Sequence, residues 1–166
     1  RHRKYIGSKD RADIAERIYA ITRHHARLGW WIGHAGAADT PRMRVIGFLS
    51  LCEGMDEKRL RDYFDGSKFA PDPLDDDEIR FLSSITGHSI EHADMDRATR
   101  LECPPQYEET LARTYGPDFE AALRAMMGAA PLDLRVNLLA HDRLSVQASL
   151  RADGVETDIT PYSPWG

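Results

Sequence analysis

The chain has 166 residues, a formal net charge of −5 and a hydrophobic fraction of 42%. This length fits one compact domain or two small ones, and folding at this size buries about 70% of the surface of the unfolded chain. The sequence contains no apolar run near the ~18 residues that a membrane-spanning helix requires, so we exclude membrane insertion, and the composition excludes wholesale disorder.

The charge is unevenly distributed along the sequence. Residues 1–50 carry a net charge of +6, residues 51–128 carry −9 and residues 129–166 carry −2. A basic block of this kind gives a local positive field that can contact phosphate groups, although a solvated basic helix face is an equally good interpretation. The basic segment therefore contains the first candidate binding residues.

The first helix is predicted from about Lys9 to Arg27. Apolar residues at helical spacing form one face of this segment, namely Ile14, Ile18, Ile21 and Leu28. The cations of the same segment lie largely off that face. If the apolar face is buried, we expect the cations to form a basic ridge in solvent.

Caps and apolar spacing predict further helices up to residue 128. Thr40 and Pro41 give the cap and first position of a helix that stops near Gly54. The other predicted helices cover about 56–65, 79–86, 106–115 and 117–127, with a weaker one in 88–102 and a surface loop over 69–77. The first 128 residues are thus predicted to be mainly α-helical.

The hydrophobic period changes after Pro131. Alternating apolar and polar residues predict strands over 132–138 and 155–160, and Asp142 caps a helix between them. The fold class is therefore mainly α, with a helical domain over 1–128 and a small α/β segment over 129–166. Two strands are too few to be stable alone, so we expect residues beyond Gly166 to complete this segment.

The chain has only two cysteines, Cys52 and Cys103, far apart and outside any C-x-x-C motif. This excludes a disulfide framework and a cysteine-type zinc site, and favours a reducing compartment. No secretion signal follows Arg1, so we expect the protein to be cytoplasmic. We also expect Arg1 not to be the natural start.

One catalytic pattern is present. His88 to His92 reads H-x-x-E-H, which supplies two metal ligands and a general base from one helix in inverted zinc peptidases. The third ligand is not identifiable, and Gly87 stands where that helix should already be formed. A metal site is therefore the weaker hypothesis, and no nucleotide-binding motif is present.

Aromatic and acidic clusters also allow two interpretations. Trp30 and Trp31 could stack on bases, but their place at the end of an apolar stripe favours the core. His24 and His25 are adjacent and cannot form a bidentate metal pair on a helix. The run Asp75 to Glu78 lacks the spacing of a calcium loop and is better explained as an acidic helix N-terminus.

Several motifs, in order along the chain, resemble one protein family. Residues 132–137 (LDLRVN), then Gly154 and Val155, then 160–164 (TPYSP), resemble the P-L-x-L-R-V-N…G-V…T-P-Y-S-P stretch of RNA (cytosine-5) methyltransferases of the Sun/Fmu type. Residues 7–23 resemble the G-S-x-D-R…Y-x-x-x-R signature of that family's N-terminal region, which is similar to the RNA-binding antiterminator NusB. Residues 104–116 resemble its P-x-W-L…Y-G helix, except that Gln106 and Tyr107 replace the usual tryptophan.

The resemblance implies a NusB-like RNA-binding region and a small α/β segment that belong to a ribosomal RNA methyltransferase. Such enzymes use S-adenosylmethionine and a catalytic cysteine in a further domain. Neither Cys52 nor Cys103 matches the family's proline-cysteine motif, so we assign no catalytic residue, no cofactor and no metal here. The fragment alone is expected to be inactive.

The expected partners are ribosomal RNA and the protein's own catalytic domain. The candidate RNA-binding residues are the cations of the basic block and two residues of the R-V-N motif: Arg3, Lys4, Lys9, Arg11, Arg17, Arg23, Arg27, Arg135 and Asn137. Two other functions stay open at this point. One is a helical protein-interaction module without RNA binding, and the other is the H-x-x-E-H zinc peptidase.

Overall fold

The computed structural model describes residues 7–130 and 132–166, except for the side chains of Ser8 and Lys9. Within these ranges the chain is mainly helical, as predicted, and has no β-strand. Its contacts divide it into two compact units, residues 1–128 and residues 129–166. None of the helices described is long and apolar enough to cross a membrane.

The first unit is built almost entirely from short helices. Their bounds are α1 Ser8–Arg23, α2 His25–His34, α3 Pro41–Leu51, α4 Glu57–Tyr63, α5 Asp76–Ile85, α6 Arg97–Arg100, α7 Pro105–Tyr115 and α8 Phe119–Met126, with a 3₁₀ turn over Gly116–Asp118. The weak helix predicted in 88–102 is confined to α6, and most of that stretch is loop.

The helix predicted over 9–27 is two helices. The backbone leaves helical geometry at His24, whose ring Nδ1 lies 2.7 Å from the carbonyl oxygen of Ala20. The N–H groups of Ala26 and Arg27 then donate to the carboxylate of Glu102 at 2.6 and 3.1 Å. The first N–H groups of a helix have no partner within it, so a carboxylate from a distant loop can cap α2 where it begins.

The predicted cap of α3 is present, and α5 begins with a cap that the sequence analysis did not assign. The Thr40 hydroxyl accepts a hydrogen bond from the Met43 N–H at 3.1 Å, and Pro41 is the first helical residue. Asp75 and Glu78 each accept from the other's backbone N–H, which is the capping-box arrangement. The acidic run at 75–78 is therefore a helix N-terminus, as interpreted from the sequence.

The core of the first unit lies where α2, α3 and α5 pack together. Its fully buried side chains include Leu28, Ile32, Ile46, Leu60, Phe81, Leu82 and Ile85. Trp31 is also buried, which confirms the core interpretation for this residue, and its Nε1–H donates to the Ile90 carbonyl at 3.1 Å. A smaller cluster under α6, α7 and α8 contains Leu101, Cys103, Phe119 and Leu123.

The apolar stripe predicted on the first helix is only partly buried. Ile14 and Ile18 are 52% and 58% exposed, whereas Ile21 is half-buried and Leu28 is fully buried. Ile14, Ile18 and Ile21 do share α1, but Leu28 belongs to α2, so the predicted stripe does not run along one helix. Tyr63 is likewise exposed, although its spacing placed it inward.

The second unit contains one helix, α9, over Arg143–Ala152. As predicted, Asp142 caps it: its carboxylate accepts from the Ser145 N–H at 3.0 Å. The strands predicted over 132–138 and 155–160 do not form in the described residues, because these two segments do not hydrogen-bond to each other. Alternating hydrophobicity favours an extended backbone, but a strand also requires an adjacent partner.

Candidate nucleic-acid interface

The described cations of α1 do not form the predicted ridge. Arg11, Arg17 and Arg23 follow one another at intervals of six residues. Each residue of an α-helix turns the chain by ~100°, so side chains six positions apart point ~120° from one another. These three arginines therefore point to different sides of α1, and Arg23 is half-buried.

Arg17 is exposed and forms an ion pair with Glu53. Its Nε and NH2 atoms donate to Glu53 at 2.9 and 3.2 Å, and its side chain is half exposed. The hydrogen bond to Glu53 raises the pKa of Arg17 above its usual value. Exposed ion pairs are weak, so a phosphate can compete with Glu53 for this guanidinium.

Arg27 is buried, contrary to its predicted place on the surface. It is only 5% exposed, and its Nε donates to Glu102 at 2.9 Å while its NH1 lies 3.5 Å from Glu91. Its guanidinium holds parts of the first unit together and cannot reach a nucleic acid. Arg3 and Lys4 lie outside the described residues, and so does the side chain of Lys9.

Arg135 and Asn137 lie on the surface of the second unit, beside Trp165. The Arg135 guanidinium lies over the Trp165 ring, 5.4 Å from its centroid, and Trp165 is 45% exposed. The Asn137 side-chain oxygen accepts from the Leu139 N–H at 3.1 Å, which leaves its amide group to donate outward. The three residues line one shallow depression. It combines a cation, an aromatic face and an amide, groups that bind phosphates and bases.

The two cysteines have the wrong environment for a nucleophile. Desolvation raises the pKa of Cys52 to about 11, and it also raises the pKa of the buried Cys103. Only the thiolate reacts at a useful rate, and both groups are thiols at neutral pH. The raised pKa values disfavour the thiolate form of both cysteines.

The H-x-x-E-H residues lie in the loop between α5 and α6, where a helix was needed for metal binding. Glu91 accepts from Arg124 at 2.7 Å, and this hydrogen bond lowers the pKa of Glu91. His88 and His92 pack against Trp31 instead. Within the described residues, no group of three or more His, Cys, Asp and Glu side chains could hold a metal ion.

The end of the first unit and the whole second unit are similar to a known family domain. Residues 105–166 match the family model described as Methyltr_RsmF/B-like, ferredoxin-like domain. No curated protein and no solved structure matches the chain. The part of the chain that this RsmF/B-like model covers includes α7, α8 and the whole second unit, and with them Arg135, Asn137 and Trp165.

The RsmF/B-like match agrees with the family resemblance of the motifs at 132–137 and 160–164, which lie inside it. The segment that resembles NusB lies outside the matched residues. A ferredoxin-like domain has the order β-α-β-β-α-β. In the described part of the second unit, α9 lies between two segments that have no regular secondary structure.

Sequence reasoning missed Trp165. This residue follows the proline-containing segment at 161–164, where no hydrophobic period assigns it to an element. The only available signal was a large aromatic residue close to a turn. The contact with Arg135 spans thirty positions of sequence and depends on the backbone path of the second unit.

Proposed function

We propose that this chain is the RNA-recognition part of an S-adenosylmethionine-dependent ribosomal RNA cytosine-5 methyltransferase. The observation that carries the proposal is the match of residues 105–166 to the RsmF/B-like methyltransferase family. The Sun/Fmu-type motifs support the same enzyme class. The NusB-like character of residues 1–128 and the cytoplasmic location belong to this proposal, and the two free thiols fit a reducing compartment.

The RNA contact that we propose is centred on Arg135, with Trp165 and Asn137 beside it. The Arg135 guanidinium has no carboxylate partner among the described residues, so it is available to a phosphate. Trp165 offers an exposed ring on which an unpaired base can stack. Such contacts hold a folded RNA while its target base is exposed for the reaction.

Arg11, Arg17 and Arg23 are proposed as secondary phosphate contacts. Because they point to different sides of α1, one RNA strand cannot contact all three at once. Arg3, Lys4 and Lys9 remain candidates from the sequence. Arg27 is not included, since its burial and its bond to Glu102 keep it from solvent.

Methyl transfer is assigned to a further domain of the same protein. The chemistry requires a cysteine thiolate and a cofactor site, and the two cysteines here have raised pKa values. The sequence also lacks the glycine-rich loop of a cofactor site. The residues present therefore do not fit S-adenosylmethionine, and we expect the 166-residue chain to be inactive alone.

Titration of ribosomal RNA with the purified chain at several salt concentrations tests the proposal. Each phosphate contact contributes about 0.7–0.9 to the slope of log K against log salt, so Arg135→Ala should lower the slope by about that amount. The matched control is Arg151→Ala, which removes an exposed arginine of the same unit that is paired with Glu156. RNA affinity that does not change with salt, or equal losses in both variants, would contradict the proposal. Salt-insensitive binding to a protein would instead support an interaction module.

A further inference from the structure

Arg100 is the last residue of α6, and its guanidinium has no hydrogen-bond acceptor. Its Nε is the one buried side-chain nitrogen or oxygen without a partner in the part of the chain that the structure describes. The two outer nitrogens of this guanidinium also make no hydrogen bond to a described residue, and they are not buried. Arginine cannot be deprotonated in a protein, so burial of its Nε without an acceptor costs free energy. Such a group is usually satisfied by a bound water or ion.

Glu91 is the carboxylate that attracts Arg100, but two other arginines already hold it. Its Oε1 accepts from the Arg124 guanidinium at 2.7 Å and lies 3.5 Å from the Arg27 guanidinium. The hydrogen bond from Arg124 is the largest cause that lowers the pKa of Glu91, and the charge of Arg100 contributes to the same shift. Three guanidiniums therefore face one carboxylate, and Arg100 is the one without a direct bond to it.

The other two guanidiniums differ in how firmly they are held. Arg27 is buried and donates to Glu102 at 2.9 Å, so it is closed to a ligand. The Arg124 side chain is 44% exposed and uses one nitrogen for Glu91, which leaves its Nε and its second outer nitrogen without a partner among the described residues. Glu120, one turn earlier on α8, attracts Arg124 but forms no ion pair with it. Exposed ion pairs contribute little, so an anion can bind Arg124 beside Glu91.

No local sequence pattern indicates this site, because residues 51–128 carry a net charge of −9. Three other arginines of this acidic segment, Arg61, Arg80 and Arg97, each form an ion pair with a carboxylate. Arg100 forms none with any described residue, although the segment is rich in Asp and Glu. An acceptor from outside the chain explains this exception.

We propose that Arg100 and the free edge of Arg124 together bind one phosphate group of the RNA backbone. The planar fork of an arginine presents N–H groups that match two phosphate oxygens, and two forks can hold the oxygens of one tetrahedral anion. Arg100 supplies a charge that forms no ion pair in the described residues, and Arg124 supplies donors at the surface. The identity of the anion as RNA phosphate rests on the proposed function, whereas the existence of a phosphate site does not.

NMR of the arginine Nε–H groups tests the phosphate site on the purified, unmodified chain. Sodium phosphate is added at constant ionic strength, and sodium acetate is the comparison anion. We expect the Nε–H signals of Arg100 and Arg124 to shift together and to saturate with phosphate. The Nε–H of Arg42, which donates to Glu78 at 2.6 Å, is the internal control and should not shift.

Three outcomes of the NMR titration would overturn the phosphate site. An Arg100 signal that does not move with phosphate would show that water satisfies this guanidinium. Equal shifts with acetate would show that the site accepts carboxylates, as a contact with an acidic protein requires. A shift at Arg42 as large as that at Arg100 would show a general effect of the added ions.

RNA titrations at several salt concentrations distinguish RNA phosphate from free phosphate. Arg100→Gln should weaken RNA binding at low salt about tenfold, and should lower the slope of log K against log salt by about 0.7–0.9. Because Arg100 donates no side-chain hydrogen bond to a described residue, we expect the variant to unfold at the same urea concentration as the unmodified chain. The matched control is Arg113→Gln, which removes an exposed arginine of α7 that has no ion pair among the described residues. The control should leave the slope unchanged.

This inference and the proposed function fail in different ways. If Arg135→Ala weakens RNA binding and Arg100→Gln does not, the assignment of RNA phosphate to this site is wrong and the proposed function stands. If phosphate shifts the Arg100 signal but Arg100→Gln and Arg113→Gln bind RNA equally, the site takes free phosphate, which also overturns the RNA assignment. If the chain binds no RNA at any salt concentration, the proposed function fails, and the RNA assignment of this site fails with it.

Discussion

Arg27 and Glu102 form a buried ion pair whose carboxylate also caps the N-terminus of α2. Glu102 accepts from the Arg27 Nε at 2.9 Å and from the backbone N–H groups of Ala26 and Arg27. Glu102 itself has a φ of 51°, a value that non-glycine residues rarely adopt. The strain is tolerated because three hydrogen bonds converge on this one side chain.

Removing the Glu102 carboxylate should strongly destabilise the first unit. Glu102→Ala leaves the Arg27 charge buried without its main partner, and breaking such a pair costs about 3–5 kcal/mol. Urea unfolding followed by circular dichroism measures this loss. Glu109→Ala is the matched control, since it removes an exposed carboxylate from nearby α7 and should change stability by less than about 0.5 kcal/mol. Similar losses of unfolding free energy in the two variants would show that the Glu102 carboxylate does not stabilise the first unit through Arg27 and the cap of α2.

The contrast between the caps of α2 and α3 shows which features the sequence could predict. Thr40 caps α3 through a residue three positions away, so a local pattern was sufficient. The cap of α2 comes from Glu102, which is 76 positions from Ala26. No local pattern identifies such a partner, and the helix was therefore predicted to continue through His24.

Burial and pairing were less predictable than helix formation. Ile14 and Ile18 have the spacing of a buried face, but no described element covers them. The alternation over 132–138 predicted a strand, but none forms there in the described residues, because a strand depends on a partner that the spacing cannot reveal. At the candidate site, Arg135 and Asn137 came from a family motif, whereas Trp165 joined them only through the fold.

Gly47 allows α3 to approach two buried side chains. A Cβ at this position would lie 3.4 Å from both Leu28 and Phe81, so any larger group must displace them. Gly47→Leu should therefore destabilise the protein by about 1–3 kcal/mol, as overpacked cores do. Gly33→Leu is the control, because Gly33 is an exposed residue of α2 with nothing within 4 Å of an added Cβ. Equal midpoints of thermal unfolding for the two variants would contradict tight packing at Gly47.

Stability should fall with acid partly because of Glu91. The hydrogen bond from Arg124 lowers the pKa of Glu91 below its ordinary value of 4.5, with further attraction from Arg124 and Arg27. The unfolded chain then binds this proton more readily, so the stabilisation is complete above pH 4.5 and is lost as the pH falls through the lowered pKa. Glu91→Gln should flatten the dependence of unfolding free energy on pH between about 5 and 3. If the unfolding free energy of the variant depends on pH as steeply as that of the unmodified chain, Glu91 does not contribute to the loss of stability in acid.

The Arg135 and Trp165 side chains should contribute to RNA binding in different ways. Trp165→Ala removes a stacking surface, which is worth about 1–3 kcal/mol per base, and should leave the salt slope unchanged. Arg135→Ala should lower the slope, because it removes a charge that displaces counterions. Tyr162→Ala controls for the loss of an exposed aromatic ring in the same unit and should bind RNA normally. Fluorescence titrations with RNA at several salt concentrations separate the two effects. If the Trp165→Ala chain binds RNA as tightly as the unmodified chain does, no base stacks on this ring.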